Sequence, residues 1–131
     1  MTVLKSSGTI SEAAKALDEL ARLERLCGNV ERAEAHLLEA QSYLQNGEFA
    51  ERALNLREVA LCRRDRDVEG AKGALRRAID LFLLAGATKE VAVTYKLLGD
   101  LHRTGGEVEQ SADAYRAGLE AIEARPIELT V

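Results

Sequence analysis

Tryptophan is absent from this sequence, and its one proline stands near the end, at Pro126. Almost the whole chain is therefore free of the residue that breaks an α-helix by removing a backbone N–H and clashing with the preceding turn. Aromatic residues make up only 4% and the net charge is −4, which argues against direct nucleic-acid binding, where a basic balance or stripe is the rule. No stretch approaches the roughly 18 uncharged apolar residues that suggest a membrane-spanning helix. The opening "MTVLKSSGTISEAAK" has neither a long apolar core nor a cleavage-like site, so it does not read as a signal peptide, and a cytoplasmic address is expected. Cys27 and Cys62 are the only cysteines, with no CxxC spacing. They are expected to be unpaired and buried, forming neither a disulfide nor a metal site.

Catalytic signatures are also missing. There is no Ser-His-Asp arrangement, phosphate-binding loop, metal-ligand spacing or dinucleotide fingerprint, so neither an enzyme nor a cofactor is expected. A general base would have to be one of many helix-surface glutamates, and nothing singles one out. His36 and His102 are the only histidines, and His102, at a column that usually packs, reads as a core or edge residue.

What is present is helix-forming. Apolar residues are 47% of the 131, Leu and Ala dominate, and the length suits one domain able to bury about two thirds of its unfolded surface. Turn signals divide the chain: "SSGT", then "CGN" at 27–29, "QNG" at 45–47, "DRD" at 65–67, "AGAT" at 85–88, "TGG" at 104–106, and Pro126. Between them lie six stretches with apolar spacing of three and four, and none alternates with period two. Thr9 and Glu12 fit a capping box, Gly47 and Gly86 fit helix C-terminal positions, and Thr88 fits the cap of a fifth helix.

The stretches repeat. In the odd helices, Leu17, Leu56 and Tyr95 fall in one column; so do Leu20, Val59 and Leu98; Ala21, Ala60 and Gly99; and Leu23, Cys62 and Leu101, always 39 residues apart. In the even helices the columns are Val30, Val68, Val108; Ala33, Ala71, Ser111; Leu37, Leu75, Tyr115; and Ala40, Ala78, Gly118, with steps of 38 and 40. The small columns let the two helices of a pair approach closely while the large ones fill the gaps. One such hairpin cannot bury both faces, and three in series can.

This arrangement resembles the tetratricopeptide repeat. The third repeat carries the pattern as Tyr95, Leu98, Gly99, Gly106, Ser111, Tyr115, Gly118 and Leu119, and the first as Leu17, Leu20, Ala21, Gly28, Ala33, Leu37 and Ala40. The period is longer than the family's ~34 residues. The column that is often aromatic in the family holds Glu24, Arg63 and His102, and the closing proline is displaced to Pro126. The resemblance implies an all-α fold of three antiparallel helical hairpins, six helices in all, stacked as a right-handed solenoid. The expected organisation is a flexible N-terminus at 1–8, a repeat domain at 9–125 (repeats at about 11–46, 47–86 and 87–125) and a tail at 126–131. The stretch "ALRRAIDLFLLAGATKEVAVTYKLLGDLHRTGG" is also similar to the C-terminal repeats of bacterial helix-turn-helix regulators, which sense a peptide or partner.

In the tetratricopeptide family the first helix of each pair lines a concave groove. Carried over, the groove stripe is Lys15, Leu54, Val93; Asp18, Arg57, Lys96; Arg22, Leu61, Asp100; Arg25, Arg64, Arg103; and Leu26, Asp65, Thr104. Arg22, Arg25, Arg57, Leu61, Arg64, Lys96, Asp100 and Arg103 are the candidate partner-binding residues. The stripe is basic on an acidic chain, which suits an acidic peptide or a carboxylate held by guanidinium forks. The competing reading is that these arginines pair with Glu or Asp on neighbouring helices, or face water.

The function expected is a protein-interaction module binding a peptide or partner protein, in bacterial signalling or transcription regulation. The alternatives are a sensor for a small molecule or signalling peptide, or a self-assembling scaffold. Ala13, Ala16, Leu17, Leu20 and Leu23 leave an apolar outer face on the first helix, so a homodimer is possible.

Overall fold

Three glycines with left-handed backbone mark where helices end and turn: Gly28 (φ 91°), Gly86 (φ 71°) and Gly106 (φ 79°). Only a residue without Cβ adopts this region cheaply. At Gly86 the backbone N–H folds back onto the carbonyls of Phe82 and Leu83, closing the fourth helix as expected.

The computed structural model describes residues 7–44 and 48–123. Among them it shows six α-helices and no strand: α1 (Ser7–Leu26), α2 (Val30–Tyr43), α3 (Phe49–Arg63), α4 (Val68–Ala85), α5 (Thr88–Thr104) and α6 (Val108–Glu123). The expected flexible start at 1–8 falls almost wholly outside the described residues, and the turn glycine Gly47 and the tail 126–131 do so entirely. The helices pair as α1·α2, α3·α4 and α5·α6; α2 packs on α3, α4 on α5, and α1 also touches α3.

The uneven step in the even helices has a visible cause. In the first and third hairpins the turn closes with an N–H bonding a carbonyl five residues back, Asn29 to Glu24 and Glu107 to His102. In the second hairpin, Asp67 bonds Arg63, four residues back. The residue missing there is the counterpart of the left-handed glycines, and Asp67 also caps α4 by accepting from the Gly70 N–H at 3.0 Å.

Two capping expectations fail. Helix α1 already begins at Ser7, so Thr9 lies inside its first turns rather than at its N-cap. At α5 the N-cap is Ala87, and Thr88 is the first helical residue. In both cases the hydroxyl type was right for a cap, but the chain enters the helix earlier. Cys27 corrects a third expectation. It is exposed, because it sits in the α1–α2 turn, whereas Cys62 is buried.

The small columns do what a close helix pair requires. Ala21, Ala60, Ala33, Ala71, Ala40 and Ala78 are all essentially inaccessible. Leu37 packs with Ala21 and Ala33 in one cluster, and Leu75 with Ala60 and Ala71 in another. The third hairpin trades this Ala-on-Leu pairing for Gly-on-Tyr: a Cβ on Gly99 would stand 2.6 Å from the Tyr115 ring. Reciprocally, a Cβ on Gly118 would stand 3.2 Å from Cβ of Tyr95. The Ser111 hydroxyl donates to the Gly99 carbonyl at 2.9 Å, tying the approach together.

Gly99→Ala is expected to destabilise the chain by ~1–3 kcal/mol, the cost of overpacking a close contact. Adding Tyr115→Leu recreates the pair found in the first two hairpins and should recover much of that loss. Urea unfolding of the single and double variants is the check.

Candidate functional site

The first helices of the three hairpins carry alternating charge, and the geometry shows how much of it is spent internally. Arg25 on α1 is only 15% exposed and donates from Nε to Glu58 on α3 at 3.2 Å. Arg57 on α3 repeats the arrangement one hairpin later. It donates to Glu90 at 2.8 Å and to the Thr94 hydroxyl at 3.1 Å on α5, with its guanidinium carbon 5.2 Å from the Phe82 ring centre. Half-buried charges paired across two helices act as cross-ties. Arg63 and Arg66 add another, both reaching back to Glu34 on α2.

The remaining candidates are satisfied within their own hairpin, with one exception. Arg22 is exposed and grips both carboxylate oxygens of Glu19, at 2.7 and 2.9 Å. Lys96 donates to Asp100 at 3.0 Å. Tyr115 donates to the other Asp100 oxygen at 2.6 Å and accepts from Arg103 Nε at 3.2 Å. Burial pushes the Asp100 carboxyl up, but the hydrogen bonds from Tyr115 and Lys96 outweigh it and hold the group below its ordinary value. Arg64, the residue that closes α3, is exposed and has no ion-pair partner among the described residues.

The structure gathers the eight candidates unevenly. Arg25, Leu61 and Arg64 line one open cavity of about 720 Å³ between the α1–α2 and α3–α4 turns, with Arg32, Arg66, Glu31 and Asp65 also on its wall. Leu61, Arg64 and Asp100 share a narrow cleft between α3 and α5. Arg22 and Arg57 border a separate cavity of about 450 Å³ between α1 and α3, with Lys15, Asp18, Glu19, Glu51 and Glu58. Lys96 and Arg103 line none of these. The first cavity carries more cations than acids on its wall, two of the cations paired with Glu58 and Glu34. Four arginines face two acids, and the first turn of α2 opens onto it with N–H groups that have no intrahelical acceptor.

A residue that sequence reasoning passed over, Asn55, is tied to Asp18 on the wall of the second cavity. Asn55 is buried and fully engaged: its side-chain NH2 donates to Asp18 and to the Leu37 carbonyl, and its oxygen accepts from Gln41, all at 3.0 Å. It thus joins α3 to both helices of the first hairpin. Burial raises the Asp18 carboxyl to about 6; the Asn55 hydrogen bond opposes this, and the nearby carboxylates of Glu58, Glu19 and Glu51 add to it. Elsewhere, buried Lys72 donates to Glu107 at 3.0 Å, and Glu107 also meets Nδ1 of His102 at 2.6 Å. His102 is therefore a packed residue in a polar cluster. A signal for the cross-ties does exist in the sequence. Arg25 to Glu58 and Arg57 to Glu90 are both 33 residues apart.

A carboxyl whose folded value lies above its unfolded one takes up its proton on folding, so Asp18 costs stability at neutral pH and the cost fades as pH falls from about 6 toward 4. Asp18→Asn keeps an acceptor for Asn55. It should raise stability at pH 7 by ~1 kcal/mol, after discounting for solvent screening, and change little below pH 4. Thermal melts across that range provide the check.

The chain matches a known family over nearly its whole length. The model described as SNAP, soluble NSF attachment protein, matches residues 1–127. A search of curated proteins finds no match.

Proposed function

The chain belongs to the soluble NSF attachment protein family, SNAP, a helical-repeat protein-interaction module, and on that premise we propose that it is an adaptor holding an acidic segment of a partner protein against the α1–α3 turn end. The observation that supports the reading is the 720 Å³ cavity in which Arg64 and Arg32 remain unpaired among the described residues while the other arginines are tied down. An unpaired guanidinium beside a helix N-terminus is the chemistry that takes a carboxylate.

Within this proposal Arg64 and Arg32 take the carboxylate beside Leu61; Arg25, tied to Glu58, borders the cavity, and Asp100 lies at the neighbouring cleft. Arg22, Arg57, Lys96 and Arg103 act as the flanking charged surface. The site is open and polar, as an adaptor contact is, and the closed apolar pocket of a small-molecule sensor is the feature it lacks among the described residues. A place in bacterial signalling or transcription regulation rests on the similarity of residues 74–106 alone, and the adaptor reading does not require it.

A glutamate-rich peptide is the probe. Arg64→Glu is expected to weaken its binding about tenfold, and Arg77→Glu, on the far helix α4, to leave it nearly unchanged. Fluorescence anisotropy at low and physiological salt reads this. Equal effects of the two reversals would remove the site.

A further inference from the structure

The 39-residue register says what each face of a hairpin is for, and at the two ends it identifies faces that are built but, among the described residues, uncovered. On α3 the side turned to the preceding hairpin carries Val59 (3% exposed) and Cys62; on α5 it carries Leu98 (5%) and Leu101. Their counterparts on α1 are Leu20 and Leu23, which are 42% and 58% exposed. At the other end, α4 turns Ile79 (3%) and Phe82 (0%) into the cluster that holds Val91 and Leu98 of the next hairpin. The counterparts on α6, Leu119 and Ile122, are 59% and 46% exposed.

The charges follow the same register. Between hairpins, Arg25 meets Glu58 and Arg57 meets Glu90. On α5 the matching cation positions are Arg103, two repeats after Arg25, and Lys96, one repeat after Arg57. On α1 the matching glutamate positions are Glu19, one repeat before Glu58, and Glu12, two repeats before Glu90. Among the described residues these four pair only with residues three or four away on their own helix, or with the Tyr115 hydroxyl. One end of the molecule therefore carries the cations of the junction and the other end carries the matching carboxylates.

We infer that the chain assembles head to tail, the α6 face of one copy seating on the α1 face of the next in the register of its own internal stacking. The second copy is the occupant because the apolar side chains of the two ends match those that join α2 to α3 and α4 to α5, and their charges match the ties that join α1 to α3 and α3 to α5. The junction is heterologous, so each added copy leaves one face open at each end.

Sedimentation of the full chain over a rising concentration series tests this. The weight-average mass is expected to climb past that of a dimer without a plateau. Leu20→Asp and Ile122→Asp, both at exposed positions, should each give a monomer with unchanged helical circular dichroism. Mixing the two variants should restore dimers only, since one supplies an intact α6 face and the other an intact α1 face. Lys96→Glu should weaken association about three- to fivefold in the wild-type background, and adding Glu12→Lys should recover it. A wild type that stays monomeric overturns the inference. So does a dimer that stops at two copies and survives Ile122→Asp, the mark of α1 pairing with α1, and so does a charge pair that shows no rescue.

Discussion

Two helices of a hairpin can approach only as closely as the bulkiest side chain trapped between them permits, and in this chain that limit is set three times over by one column. Ala21, Ala60 and Gly99 each give up volume to Leu37, Leu75 and Tyr115 of the partner helix. The trade conserves the total, so the third hairpin, with the smallest residue, takes the largest partner. Because each hairpin closes in the same way, each presents the same two outer faces, and stacking in series follows from the burial of those faces.

Stacking in turn decides what the charged residues do. The stripe that is basic by composition becomes a set of ties between hairpins, Arg25 to Glu58 and Arg57 to Glu90, with the Arg63–Glu34 pair on the opposite side. A guanidinium engaged in this way orients the next hairpin and is poorly placed to greet a partner. Arg64 stands outside the ties because the position one repeat after Glu58, which would face it, is Leu97; it is left at the helix end over an open cavity. The same geometry half-buries Asp18, which is the main reason its proton affinity rises; the carboxylates of Glu58, Glu19 and Glu51 add to the rise, and the hydrogen bond from Asn55 opposes it.

The helices, their pairing and the buried columns were legible because apolar spacing and the 39-residue recurrence are properties of sequence alone. Caps were less so. Thr9 and Thr88 have the right side chains, but where the backbone turns helical at Ser7 and Thr88 depends on packing that the hydroxyl does not announce. Cys27 was misjudged because a cysteine in a turn has no neighbour to cover it. The arginine column could be found by alignment, but its partners could not be assigned without the register between hairpins. Asn55 was missed for the same reason, since a polar residue on a helix reads as surface until three partners from two other helices surround it.

The central claim is that hairpins of the same construction support one another only through their neighbours, so the middle one, covered on both sides, is the most secure. Amide hydrogen exchange under native conditions, at a dilution where the chain is monomeric, measures this helix by helix. The account predicts the slowest exchange in α3 and α4, with α1 and α6 opening at lower cost. Equal protection across all six helices, or greatest protection in α1, would contradict it.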